Sequence, residues 1–192
     1  MKHMSEKSFA SAKVAALQRD RRGTVFAIFG LCLALIAILT PFSATAGEAP
    51  TIIVQAEDGT IQLPARLVTI HGRTVRYEPQ PHKNTIGYWT KAEDWVSWDF
   101  TLTRPSAFTV TVTQACGKNS GGSEYQVAVG DQVLTDVVPE TGAFTNFVER
   151  VIGTVKLPQA GSYTLSVKPI KKPGLAVMDL RAVTLKRKGE VK

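Results

Sequence analysis

The chain has little of what ordinarily carries catalysis. Its 192 residues hold two cysteines and three histidines. Cys32 falls inside an apolar N-terminal segment, which leaves Cys116 as the one thiol of a processed chain. That excludes an intramolecular disulfide, and a lone exported cysteine reads as a small buried hydrophobe. His71 and His82 stand eleven apart in loop-like sequence without a cysteine or third histidine, so a zinc site would need distant carboxylates and a solvated surface role is expected. Helical patterning is missing as well. After Gly47 no ten-residue stretch has apolar residues at helical spacing between caps, so helices are expected to be absent or single turns. The formal charge of +7 excludes less than it suggests, because residues 1–46 and the tail Lys186 to Lys192 supply all of it. The sequence between them is neutral and offers no electrostatic footprint for nucleic acid.

What is present begins with a leader. Thr24 to Phe42 is nearly all apolar, follows Lys2, Lys7, Lys13, Arg19, Arg21 and Arg22, and runs into the small-residue triplet Ala44-Thr45-Ala46. A signal peptide over residues 1–46, cleaved before Gly47, is the expected reading. An uncleaved anchor with its basic end in the cytoplasm is the rival. Either way the folded part is exported, to the periplasm or the exterior. Arg21-Arg22 lacks the remainder of a twin-arginine signal, and Leu31 before Cys32 departs from a lipid-attachment signal, which wants a small residue there.

From Ile52 onward apolar residues recur with a period of two in short runs, the mark of half-buried strands. Phe108, Val110 and Val112 alternate with threonines; Tyr125, Val127 and Val129 form a second run; Tyr163, Leu165 and Val167 form a third. Trp95 to Leu102, Phe147 to Val155 and Val177 to Leu185 read as further strands. Turn signals at Pro64, Arg104-Pro105, Gly117 to Gly122, Gly130-Asp131, Pro139 to Gly142, Gly161 and Pro173-Gly174 have the spacing of an antiparallel β-sandwich. One all-β domain is expected over residues 47–192, with its first strand (Thr51 to Gln55) beside its last.

Most chemical motifs dissolve on inspection. Gln114-Ala115-Cys116-Gly117 resembles a cysteine-protease signature, but Lys118 stands where that motif wants glycine. Gly117 to Gly122 has the wrong order of Gly, Lys and Ser for a phosphate cradle and reads as a hairpin loop. Glu93 and Asp94 are adjacent, so on a strand they point apart and cannot form a glycosidase pair; Asp94 reads as a cap on the turn into the next strand. Gln55 and Glu57 lie two apart on one face, where they could hold calcium together with carbonyl oxygens, or form a solvated edge.

The aromatic stretch remains. Ile86 to Phe100 contains all three tryptophans and one of the four tyrosines. In the expected strand, Val96, Trp98, Phe100 and Leu102 share a core face, with Trp95 packed under a loop. Tyr88 and Trp89 precede the strand beside Gly87, and Phe144 lies in a second loop, Thr141-Gly142-Ala143-Phe144. Rings on two converging loops suit the apolar face of a pyranose; packing within the fold is the alternative.

Several landmarks occur together in order: Ile53-Val54-Gln55-Ala56-Glu57-Asp58, Asn84-Thr85-Ile86-Gly87-Tyr88, Glu93-Asp94-Trp95-Val96-Ser97-Trp98, Thr141-Gly142-Ala143-Phe144, Leu157 to Leu165, and Met178-Asp179-Leu180-Arg181-Ala182-Val183. Over residues 51–187 the chain resembles carbohydrate-binding modules of families 6 and 35, in the version fused to secreted bacterial sulfatases and fucosidases. The resemblance implies a galactose-binding-like jelly-roll sandwich and a non-catalytic role in binding a polysaccharide or glycan, with a secreted sulfatase or glycosidase as partner. It assigns the sugar site to Tyr88, Phe144 and Asp179, to which the loop position of Trp89 adds a fourth residue. Phe144 replaces a larger tryptophan, and Asp179 replaces an asparagine by an acceptor-only carboxylate that disfavours acidic sugars. The implied structural calcium would use Gln55, Glu57 and an aspartate at the place of Arg181, whose cation opposes it. An envelope adaptor without sugar binding is the rival function.

Overall fold

Residues 52–189 are described by a computed structural model of the chain. The proposed leader, residues 1–46, lies outside them. Among the described residues, twelve strands form two six-stranded sheets. The first sheet contains β1 (Ile53–Val54), β3 (Thr69–His71), β6 (Trp95–Leu102), β8 (Glu124–Val129), β9 (Gln132–Val137) and β11 (Gly161–Lys171). The second contains β2 (Ile61–Pro64), β4 (Arg76–Glu78), β5 (Thr85–Gly87), β7 (Ser106–Ala115), β10 (Val148–Leu157) and β12 (Asp179–Arg187). Among the described residues the only helical segment is the 3-10 turn Ala65–Leu67.

The core follows from strand periodicity. Val96, Trp98, Phe100 and Leu102 of β6 are buried, as are Phe108, Val110 and Val112 of β7, Leu165 and Val167 of β11, and Val183 and Leu185 of β12. Because successive side chains face opposite ways, each central strand sends one apolar set inward and a Ser/Thr-rich set outward. The Trp98 indole N–H donates to the Pro64 carbonyl at 2.9 Å, so the largest core ring also has its polar atom satisfied.

Four expectations are corrected. The first strand does not lie beside the last: β1 pairs in parallel with β6, and β2 is the strand that pairs with β12. Residues Gly117 to Gly122 are a crossover rather than a hairpin loop, since β7 and β8 belong to different sheets. Trp95 is not under a loop. It lies on the outer face of β6, stacked on His71 with ring centroids 3.6 Å apart and with the Lys168 ammonium 4.0 Å from its ring. His71 is therefore not merely solvated, because its Nε2 also shares a hydrogen bond with Ser97 Oγ at 2.9 Å.

Asp94 does more than cap its own strand. Its buried carboxylate accepts from the amides of Arg73, Thr74 and Val75 and from Thr74 Oγ1, fastening the segment before β4. Burial pushes this carboxyl up, but those donors win and hold it at about 2. A depressed carboxyl stabilises the fold above its ordinary value of 3.8, and that contribution is lost as pH falls toward 2. Asp94→Ala is expected to cost about 2–4 kcal/mol in urea unfolding near neutrality. The loss should shrink as acid protonates the wild-type carboxyl, and an equal loss at all pH values would contradict this role.

Candidate functional site

The site forms at one end of the sandwich, where four connections meet. Glu78 ends β4, Lys83 comes from the turn into β5, Tyr88 and Thr90 follow β5, Phe144 comes from the β9–β10 connection, Ala176 precedes β12 and Asp179 opens it. Together they line a cavity of about 280 Å³. Sequence separation hides this grouping: Lys83 and Asp179 are 96 residues apart.

Two glycines permit the approach. A Cβ on Gly87 would lie 2.0 Å from Glu78 Oε2 and 3.1 Å from Asp179 Oδ1, so only glycine lets both carboxylates gather over this strand. A Cβ on Gly117 would lie 2.6 Å from the Phe144 ring, which rests on that backbone. The chain then turns at Tyr88, whose φ of 53° is unusual for a bulky residue and throws the ring outward. Tyr88 is 52% exposed, and the Arg76 guanidinium lies 3.5 Å from its ring centroid.

The polar floor is a charged triad. The Lys83 ammonium binds Asp179 Oδ2, lies 3.3 Å from Glu78 Oε2 and donates to the Phe144 carbonyl at 3.3 Å. Two hydrogen bonds and one ion pair thus engage the ammonium within the protein. Glu78 and Asp179 both line the cavity, so its floor carries two carboxylates and one ammonium. Burial pushes the Asp179 carboxyl up to about 6; Lys83 pulls against this and Glu78 adds to it. For Lys83 burial opposes the charge, but the two carboxylates prevail and hold its pKa above the ordinary value. Cys116 is buried, and burial first, then Glu140 and Asp179, pushes its thiol up to about 11, away from the reactive thiolate form.

Of the residues singled out by sequence, Tyr88, Phe144 and Asp179 come together, and Trp89 does not join them. Its ring is fully buried, its indole N–H donates to the Asp94 carbonyl at 2.9 Å, and its own carbonyl accepts from Val177 at 2.8 Å. The positive φ at Tyr88 turns the two neighbours in opposite senses. Glu78 and Lys83 were not foreseen: no periodicity marks a charge at the end of a short strand or in a turn, and only the grouping with Asp179 reveals them.

Gln55 and Glu57 do not fit the implied calcium. Gln55 is buried, its Oε1 accepts from the Thr103 amide and hydroxyl and the Arg104 amide, and its Nε2 donates to the Gly59 carbonyl. The Arg104 guanidinium donates to the carbonyls of Ala56 and Glu57, so the oxygens a hard cation would need already face one. Arg181 lies at the other loop cluster, on Lys83 and His82. Among the described residues no group of three or more His, Cys, Asp or Glu could hold a metal ion.

Two stacked sheets with loops converging on one end make a β-sandwich whose fold is similar to that of carbohydrate-binding modules. The C-terminal family 6 module of the laminarinase LamC from Zobellia galactanivorans is similar at 19% identity and a TM-score of 0.54, covering 67% of this chain and 99% of that one. A family 35 module from Clostridium thermocellum is similar at 14% identity and a TM-score of 0.55, covering 67% and 98%. The fold is not confined to sugar binders by name: the mosquito-larvicidal toxin Cry4Aa of Bacillus thuringiensis matches at 12% identity and a TM-score of 0.57, over 76% of this chain and 26% of the toxin. No curated protein matches. The chain belongs to the family described as "Domain of unknown function (DUF5077)", whose model matches residues 74–189.

The opposite settings of the adjacent rings yield a prediction. Trp89→Ala should cost about 3–5 kcal/mol by removing a buried indole. Tyr88→Ala should cost at most about 1 kcal/mol, the worth of an exposed cation–π contact. Urea unfolding of both variants checks this, and comparable losses would refute the assignment.

Proposed function

We propose that the protein is an exported, non-catalytic module that binds one sugar residue of a glycan in the cavity between Tyr88 and Phe144. The observation that carries this reading is the convergence of two loop-borne rings with the Asp179 carboxylate around about 280 Å³, near the small end of ligand cavities. Ring faces suit the C–H face of a pyranose, and the carboxylates that line the cavity suit its hydroxyls. The two similar modules above, both carbohydrate-binding, support the same class.

The floor argues for neutral, hydroxyl-rich sugars. With the Lys83 donors used within the protein, a uronate or sulfate would meet two carboxylates and no free ammonium. Hydrolysis fits the floor less well. A glycosidase needs two carboxyls flanking the scissile bond, and here an ammonium fills the interval between Glu78 and Asp179. Partners on this reading are a polysaccharide or glycan and a secreted glycosidase acting on it; a sulfatase, whose substrate carries the anion that this floor disfavours, fits less well.

Few polar contacts offset the cost of association, so affinity should lie in the range of roughly micromolar to millimolar. Affinity electrophoresis and a glycan array test the reading. Retention by a neutral polysaccharide is expected, with at least about tenfold loss in Tyr88→Ala and Phe144→Ala and weaker binding of uronate-rich polymers. Absence of retention on every glycan, or retention unaffected by both substitutions, would leave the envelope-adaptor role in its place.

A further inference from the structure

Arg181 immediately follows the strand residues that open the site, yet its side chain does not enter the cavity. The register of β12 against β7 shifts between Leu180 and Ala182, so Arg181 occupies a β-bulge. Bulges bend a strand and re-aim the side chain they carry. Here the guanidinium reaches the turn between β4 and β5: Nε donates to the Lys83 carbonyl at 3.1 Å, and Nη2 donates to the same carbonyl at 2.9 Å and to His82 O at 3.0 Å. Its flat face lies 3.5 Å from the Phe147 ring centroid. A stacked guanidinium with a rigid donor fork holds two carbonyls in place at little further entropic cost.

The clasped turn delivers Lys83. Its backbone closes on Gln80, with the amides of Lys83 and Asn84 donating to the Gln80 carbonyl at 2.8 and 2.7 Å, and Asn84 sits at φ 41°. Tyr77 donates to the Asn84 side chain at 2.8 Å. With its backbone fixed, the Lys83 side chain enters the cavity, where Asp179, Glu78 and the Phe144 carbonyl receive the ammonium.

We propose that Arg181 is the positioning residue of the site, setting its charge by holding Lys83 between the two carboxylates. The inference rests on the cavity being the binding site, but its test needs no sugar. The charged and titratable groups facing Asp179 are Lys83 of the β4–β5 turn, Glu78 of β4 and, more weakly, Cys116 after β7. Loosening Lys83 leaves Asp179 with burial and Glu78, both of which favour the protonated form.

The experiment is a carboxyl-carbon NMR titration of Asp179 in the full chain, with folding checked by thermal melting. Arg181→Met keeps an apolar stem on Phe147 and removes the donors. The Asp179 midpoint should rise by about one pH unit, because an opposite charge at contact ordinarily lowers a carboxyl by about one to three units. Lys83→Met should raise it at least as far, and the double variant no further than Lys83→Met alone, since one residue acts through the other. If Arg181→Met does not fold, Arg181→Lys carries the test, with a smaller rise in the same direction. An unmoved midpoint in a folded Arg181 variant, or single shifts that add, would overturn the proposal. Sugar affinity measured on the same variants separates the two ideas. A shifted midpoint without any sugar binding sinks the function and spares the brace, and binding with an unmoved midpoint does the reverse.

Discussion

A carboxylate buried at the opening of β12 is the constraint around which this end of the molecule is arranged. Asp179 is only 4% exposed, and a charge so placed is tolerated only with an opposite charge and hydrogen bonds. Lys83 supplies both, and to reach Asp179 it must be borne by a turn that leaves β4 and re-enters β5 beside it. Glycine at position 87 follows from the same need, because any side chain there would occupy the space of the Glu78 carboxylate. The compensation is incomplete: the Asp179 carboxyl still lies near 6, above its ordinary value. A raised carboxyl lowers stability as pH climbs from about 4 toward 6, since the folded state then holds a proton that the unfolded chain releases.

The sandwich makes such a site inexpensive to support. Its two layers meet through Trp98, Phe100, Phe108 and their neighbours, all buried, and this core fixes where each strand ends. The connections above it need only bridge known endpoints. They are irregular but not loose: Thr141 Oγ1 accepts from the Cys116 amide at 2.9 Å, Gly117 and Gly142 form an isolated parallel bridge, and Phe144 rests over Gly117. Rings carried by loops can therefore be as well placed as rings carried by strands.

Periodicity made the layers legible in the sequence and left the loops only partly so. The inward set Val96, Trp98, Phe100, Leu102 was readable because a strand has a period of two that the core must obey. The strand Gln132–Val137 was not, because it sits at an edge: Leu134 packs inward while Val133 and Val137 are about half exposed, so apolar residues occupy both faces. Tyr88 and Trp89 show where the signal ends. Both are aromatic, adjacent and near Gly87, but which one faces outward is decided by a backbone angle at Tyr88 that no composition rule supplies. Gly117 to Gly122 misled for a related reason: glycine marks a change of direction without saying whether the chain returns to its own sheet or crosses to the other.

Arginine appears twice as a fastening for irregular backbone, and the parallel is physical. Arg104 holds the carbonyls of Ala56 and Glu57, while Arg181 holds those of His82 and Lys83. A loop of this kind presents clustered carbonyl dipoles that need a positive partner. A divalent ion can provide one, and a guanidinium provides the same charge complement with its direction fixed by the strand that carries it. A covalently attached cation cannot dissociate when external ion concentration falls, so loop geometry becomes independent of the medium. That ties the shape of the cavity to the sequence: Arg104 secures the segment after β1, and Arg181 secures the turn that carries Lys83.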